Sequence, residues 1–210
     1  MKRPATPRVE AQRTKAFVRQ RVLRSVVALI CVALGVLVCI DSSADSAVPL
    51  ALQERLLARL GPYDRNFKSR AGSVAKVLVV RRKGDDESAF EQAGLVRVLA
   101  ELHDIGGLPV HVEEAELTDV ESLAKRCRAE RVAVLYLTHG LEADMPRLTA
   151  ALANGDILTV GTSARHAENG AVVGFTLEEA RPRIVINLPR ARAQNVDFRA
   201  ELLALARLIR

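Results

Sequence analysis

Residues 158–209 read LTVGTSARHAENGAVVGFTLEEARPRIVINLPRARAQNVDFRAELLALARLI, and the fold is decided there. Residues 171–177 place Val173, Phe175 and Leu177 on one face, and residues 183–188 do the same with Ile184, Ile186 and Leu188. Period-two alternation on both sides of residues 178–182 predicts a β-hairpin. Beyond Pro189, Asp197 stands where it would cap a helix. Phe198, Leu202, Leu205 and Ile209 then recur at the i, i+4, i+7, i+11 spacing of one apolar stripe, with Glu201 in the first turn and Arg207 in the last. The expectation is a closing helix docked on the sheet, with Leu205 sharing a core with Phe175.

Upstream, strand and helix patterns alternate. Residues 48–60 predict a helix through Leu52, Leu56, Leu57 and Leu60, stopped by Gly61-Pro62. Residues 73–80 (SVAKVLVV) predict the first strand. Ser88 and Glu91 then have capping-box spacing at the head of a helix running to about His103, which Gly106-Gly107 ends. Residues 110–114 form a weaker strand, and Thr118 with Glu121 make a second capping box for a helix carrying Cys127. Residues 132–137 (VAVLYL) are apolar without alternation, as in a central parallel strand covered on both faces. Asp144 with Pro146 opens the next helix, Asn154-Gly155 closes it, and residues 157–160 are the fourth strand. The order implies an α/β domain: a mostly parallel sheet of about four strands with flanking helices, closed by the C-terminal antiparallel hairpin and packing helix.

Four motifs in this order carry a resemblance: LTVGTS, the glycine-led GAVVGFTLE, RPRIVINL, and the terminal ELLALARLI. Together they resemble the C-terminal half of the YfiR-like family of small periplasmic proteins, and residues 56–66 (LLARLGPYDRN) are similar to that family's N-terminal helix and following loop. The resemblance implies the family fold across residues 48–210. It also implies a non-catalytic regulatory role, because the family prototype restrains the periplasmic sensor part of an inner-membrane diguanylate cyclase. Some members contain cysteine pairs discussed as redox-responsive; this chain departs from that pattern.

The formal charge of +6 points toward nucleic acid until the charge is located. Residues 1–47 hold eight Lys/Arg against three Asp/Glu, which leaves 23 basic and 22 acidic groups in the remainder, so the domain itself is nearly neutral. With five Phe, two Tyr and no Trp in the chain, no basic patch interleaved with stacking aromatics is visible, and nucleic-acid binding is not expected. The basic segment precedes the apolar run SVVALICVALGVLVCI at residues 25–40. As a helix that run is about 24 Å long, against ~30 Å of hydrocarbon core, which favours a cleaved signal peptide over an inner-membrane anchor. Small residues at Ser42 and Ala44 offer a cleavage site. Either way residues 1–47 form the leader and the domain is delivered to the periplasm. Cys31 and Cys39 lie in the leader, so Cys127 is alone in the domain and reads as a buried apolar thiol.

Ligands in an open α/β sheet sit at the carboxyl ends of the parallel strands. Here those ends are residues 81–88 (RRKGDDES), Thr138-His139-Gly140, and residues 161–166 (GTSARH). The candidate binding residues are His139, Thr162, Ser163, Arg165 and His166: the histidines either act as acid–base groups or hold an anion beside Arg165, or they are polar loop residues. The histidines at 103, 111, 139 and 166 have no ligand spacing, so no metal is expected. The phosphate-loop, dinucleotide and nucleophile-elbow motifs are missing, and no catalytic residue or cofactor is expected. Asp85-Asp86-Glu87 and the pair Arg181 and Arg183 read as solvated turns, and Asn187 as a residue that satisfies backbone at a strand end. Two readings follow: an exported regulatory protein that modulates an inner-membrane signalling protein such as a diguanylate cyclase or histidine kinase, and a periplasmic small-solute-binding module using the strand-end cleft.

Overall fold

The computed structural model describes residues 48–210; the leader expected at residues 1–47 lies outside them. In chain order the elements are α1 (Leu50–Tyr63), α2 (Phe67–Ala71), β1 (Ala75–Arg82), α3 (Asp86–Ala100), β2 (Asp104–Ile105), β3 (Leu108–Leu117), α4 (Val120–Ala129) and β4 (Val134–Leu137). After a 3-10 turn at Glu142–Asp144 come α5 (Met145–Ala151), β5 (Leu158–Gly161), α6 (Ala164–Glu168), β6 (Val173–Glu178), β7 (Arg181–Asn187), α7 (Leu188–Ala193), α8 (Ala200–Leu203) and β8 (Arg207–Ile209).

The strands form one sheet in the order β2-β3-β1-β4-β5-β6-β7-β8. β3, β1, β4, β5 and β6 run parallel, β7 is antiparallel to β6, and β8 is parallel to β7. The expected α/β class with its terminal hairpin is present, and the sheet holds eight strands where about four and the two arms of the hairpin were expected. Four parallel strands were legible as apolar runs. The additions are the two short strands β2 and β8.

β4 shows why its sequence lacks alternation. Val134 and Tyr136 enter one core with Leu57, Leu60, Leu95 and Leu99 of α1 and α3, whereas Leu135 and Leu137 enter a second core with Leu123, Cys127, Met145 and Leu148 of α4 and α5. Both faces are covered, so every position is apolar.

Several local expectations shift by a few residues. Asp85, not Ser88, caps α3 by accepting from the Ser88 N–H at 2.9 Å. Asp119, not Thr118, caps α4 in the same way from the Ser122 N–H at 2.8 Å, and its hydrogen bonds from Ser122 hold its carboxyl below the usual range. Gly61 does not end α1; a Cβ there would lie 2.8 Å from the backbone N of Gly106, so the glycine serves a close approach of helix to hairpin. Gly106 and Gly107, read as a helix stop, are the left-handed pair (φ 64° and 79°) of a two-residue turn joining β2 to β3. The hairpin β6–β7 turns in the same manner at Glu179 and Ala180 (φ 51° and 60°).

The closing helix is the largest departure. Only Ala200–Leu203 is helical, and Arg207–Ile209 instead pairs with Val185, Ile186 and Asn187 of β7. Asp197 caps nothing: its carboxylate binds the Arg65 guanidinium at 3.0 Å. Phe198 and Leu202 are buried as expected, but Leu205 is 70% exposed and does not share the core of Phe175. The physical reason lies at the sheet edge. β7 would otherwise present unpaired N–H and C=O groups, and a three-residue strand satisfies them where another turn of helix would not. Leu208 and Ile209 then fall on opposite faces, which a helical stripe cannot explain.

The C-terminal segment is tied down by charge. The Arg70 guanidinium, fully buried, donates to Asp64 Oδ2 at 2.6 Å, to Asp156 Oδ1 at 3.1 Å and to the Asn195 carbonyl at 2.9 Å. Asp64 Oδ1 also accepts from the backbone N–H groups of Asn66 and Asp197, both at 3.1 Å.

Phe175→Ala is expected to cost about 3–5 kcal/mol and Leu205→Ala within about 0.5 kcal/mol, measured by urea unfolding of the purified domain. Equal losses at the two positions would contradict the strand assignment of the C-terminus.

Candidate functional site

The sheet order places β1 between β3 and β4, so the chain leaves β1 toward one edge and later returns past it toward the other. In open α/β sheets this reversal opens a crevice at the carboxyl ends of the two strands, where ligands sit. Here the crevice lies between the loop after Arg82 and the loop after Leu137.

It is filled from within. Thr138 donates from Oγ1 to the Val80 carbonyl at 3.0 Å, which leaves its oxygen to accept from the Ser88 hydroxyl at 2.6 Å. Ser88 Oγ accepts in turn from the Arg82 N–H at 2.8 Å. Above this pair the Arg82 guanidinium crosses the gap to the Gly140 carbonyl at 2.6 Å. Gly140 itself is dictated by the closure, since it sits at φ 85° and a Cβ there would lie 2.6 Å from Asp85 Oδ2.

One turn along α3, Glu91 accepts from the His139 backbone N–H at 2.6 Å and from the Thr162 hydroxyl at 3.3 Å, joining the loops after β4 and β5. Burial pushes its carboxyl above the usual range; the two hydrogen bonds and the nearby His139 oppose that shift, and Glu142 adds to it. From below, Gln53 of α1 donates to the Thr162 carbonyl at 3.2 Å and the Val48 carbonyl at 2.7 Å while accepting from the Tyr136 hydroxyl at 2.7 Å. Burial raises the Tyr136 phenol well above its usual value, and the Glu91 charge adds to the effect.

His166 is fully buried. With Nε2 donating to the Thr138 carbonyl at 3.1 Å, Nδ1 is left to accept from the Ser163 hydroxyl at 3.1 Å. Glu142 lies 3.6 Å from Nε2. The serine–histidine distance is one that nucleophile and base adopt, yet the ring is walled off: a Cβ at Gly161 would overlap it. Gly161 is there to admit the imidazole.

Of the five candidate residues, Thr162, Ser163 and His166 belong to this closed network. His139 joins it through its backbone, and its half-exposed ring lies 3.7 Å from Glu142 and 3.8 Å from Glu87. Arg165 is exposed on α6, and the hydrogen bonds of the crevice do not include it. Glu91 and Gln53 were missed. Glu91 was absorbed into a capping box, whereas Gln53 carried a usable signal: it stands four residues before Leu57 and seven before Leu60, a polar residue on the buried stripe of α1. Cys127 is buried as expected, its thiol pushed up to about 12 by burial. Among the described residues no group of three or more His, Cys, Asp or Glu is placed to hold a metal ion.

Hollows open at both ends of the strands. One of about 280 Å³ is lined by Arg82, Lys83, Thr118, Asp119 and Arg147 beside the crevice. The other, of about 160 Å³, lies at the opposite end of the strands against Arg70, Cys127, Arg131 and Ile157.

The architecture defines an α/β domain with a sealed switch-point crevice. A profile of the YfiR/HmsC-like family matches residues 75–207, well over half of the chain, and the chain belongs to that family. No curated protein matches it in sequence. Among solved structures it is similar to an ABC domain from Streptococcus pneumonia in complex with L-Trp (12% identity, TM-score 0.55), covering 77% of this chain and 60% of that one. It is also similar to a conserved domain protein from Vibrio cholerae (17% identity, TM-score 0.52; 77% and 60% covered). A third is the ligand-free, open form of CD0873, a substrate binding protein with adhesive properties from Clostridium difficile (14% identity, TM-score 0.52; 69% and 57% covered). These likenesses are of fold, and the chain spans about 60% of the length of those proteins.

The raised Glu91 carboxyl has a signed consequence. A group whose pKa is higher folded than unfolded contributes stability that is present below its unfolded value and lost as pH rises through its folded value. The melting temperature is therefore expected to carry a component that declines as pH rises above about 4.5, and Glu91→Gln to remove it, in thermal melts across the acid-to-neutral range. An unchanged pH profile in that variant would show that Glu91 is not the group responsible.

Proposed function

We propose that the chain is an exported regulatory protein that acts by binding a partner without turnover, and that the partner is an inner-membrane signalling protein such as a diguanylate cyclase or histidine kinase. The observation that carries this reading is the sealed crevice in a member of the YfiR/HmsC-like family: the place where an α/β sheet would receive a ligand is occupied by Arg82, Ser88, Glu91 and Thr138. A site whose polar groups are already satisfied internally has little to offer a substrate, and the selected surface is then the exterior. With 23 basic and 22 acidic groups outside the leader, long-range steering is weak and association should depend only mildly on salt.

A small-solute-binding module is the second reading. It is favoured by the 280 Å³ hollow beside the crevice and by a fold shared with a substrate binding protein and with a domain solved with L-Trp. The two separate in a deletion strain complemented with His139→Ala combined with Arg165→Ala. Both side chains are exposed enough to change without unfolding the domain; buried His166 is not. The regulatory reading expects unchanged second-messenger level, and a signalling protein co-purifying from membranes with the tagged chain. Output lost at unchanged melting temperature, with a retained small molecule in the purified protein, would replace it with the solute-binding reading.

A further inference from the structure

The hollow at the amino ends of β4 and β5, remote from the crevice, has an apolar floor and a basic mouth. Cys127 of α4, Leu152 after α5 and Ile157 at the approach to β5 line it, and each is nearly buried. Burial pushes the Cys127 thiol up to about 12, so this part of the floor stays uncharged at neutral pH. Arg128 and Arg131 also line the hollow and are exposed, with the buried Arg70 beside them. Its volume of about 160 Å³ is close to the ~150 Å³ of an apolar cavity that takes up benzene.

The guanidinia are only partly used. Arg128 donates to the Ala151 carbonyl at the end of α5 at 3.1 Å, and Arg131 to the Ser69 carbonyl in the last turn of α2 at 3.2 Å. They thereby cover helix-end carbonyls that would otherwise repel an anion. Each guanidinium has five N–H donors, so most remain for a ligand. Among the described residues neither arginine has a carboxylate within ion-pair distance. Asp156, the carboxylate on the lining, is already held by Arg70 Nε at 3.1 Å and by the Asn195 amide at 3.2 Å. Glu130, next to Arg131 in sequence, is held by Arg126 at 3.1 Å. With Asp64 behind Arg70, the hollow has three guanidinia against two carboxylates, a net charge of one that suits a monoanion.

We propose that this hollow binds a small monocarboxylate with a compact apolar body about the size of a benzene ring. The body lies on Cys127, Leu152 and Ile157, and the carboxylate bridges Arg128 and Arg131. Apolar walls with a few convergent donors are the usual composition of such a site, and guanidinium matches carboxylate in geometry as well as charge. The site is independent of the crevice and of either reading of it. A ligand here also touches the wall formed by Arg70, joins α2, α4 and the approach to β5, and so stabilises the folded chain in proportion to its occupancy.

Titration calorimetry of benzoate into the exported chain tests this, with two controls. Benzyl alcohol keeps the ring without the charge, and acetate keeps the carboxylate without the ring. Benzoate is expected to bind one to one with a Kd of about 1 mM or tighter, and each control at least about tenfold more weakly. Arg128→Gln and Arg131→Gln, both at exposed positions, should each weaken benzoate by about tenfold with the fold retained by circular dichroism. Amide NMR shifts should move at Cys127 and Ile157, and stay fixed at Lys83 and Thr118 beside the crevice. Benzoate that fails to bind, that binds equally well after both arginine changes, or that moves the crevice amides instead overturns the proposal. So does either control binding as tightly as benzoate.

Discussion

The Asp64–Arg70 pair is the interaction on which the arrangement of the chain depends. Two charges removed from water cost several kcal/mol each, and only close geometry with further hydrogen bonds offsets that. Both conditions hold: the pair is 2.6 Å long with both side chains essentially buried, Arg70 also reaches Asp156 and the Asn195 carbonyl, and Asp64 also accepts two backbone N–H groups. Its partners come from the start of the domain, the approach to β5 and the C-terminal segment. That segment is thereby held on the core of α1 and α3, with Phe198 bridged to Asp64, and the chain end is delivered to the free edge of β7.

The same requirement, that buried polar groups find partners, acts at the other end of the strands with a different result. In many α/β sheets the carboxyl ends are left under-satisfied and a ligand completes them. Here Ser88, Thr138, Glu91, Gln53 and His166 complete one another. The network costs a raised Glu91 carboxyl and two glycines, Gly140 and Gly161, at positions where a side chain would collide.

The sequence was most informative where burial imposes a period. The unbroken VAVLYL and the two alternating arms of the hairpin specified a central strand and an antiparallel pair because one or both faces must be apolar. It misled at the C-terminus, where Leu202, Leu205 and Ile209 fit a helical stripe only by coincidence of spacing; the deciding factor, an unpaired edge on β7, lies outside the segment itself. Of the site, the loops were legible from the rule that ligands gather at strand ends, and Thr162, Ser163 and His166 do meet. Their closure was not legible, since it depends on Glu91 and Gln53 reaching from helices distant in sequence. The Asp64–Arg70 pair was hidden for the same reason: a charge near a helix end looks solvated until the fold covers it.

The central claim is that the switch-point crevice is closed by the chain's own side chains, and amide hydrogen exchange at His139 tests it most directly. That N–H donates to Glu91 at 2.6 Å, so the account predicts slow exchange, comparable to that of the β4 amides, unchanged by addition of a small-molecule extract of the periplasm. Rapid exchange at His139 that slows when such an extract is added would show an open site awaiting a ligand, and would contradict it.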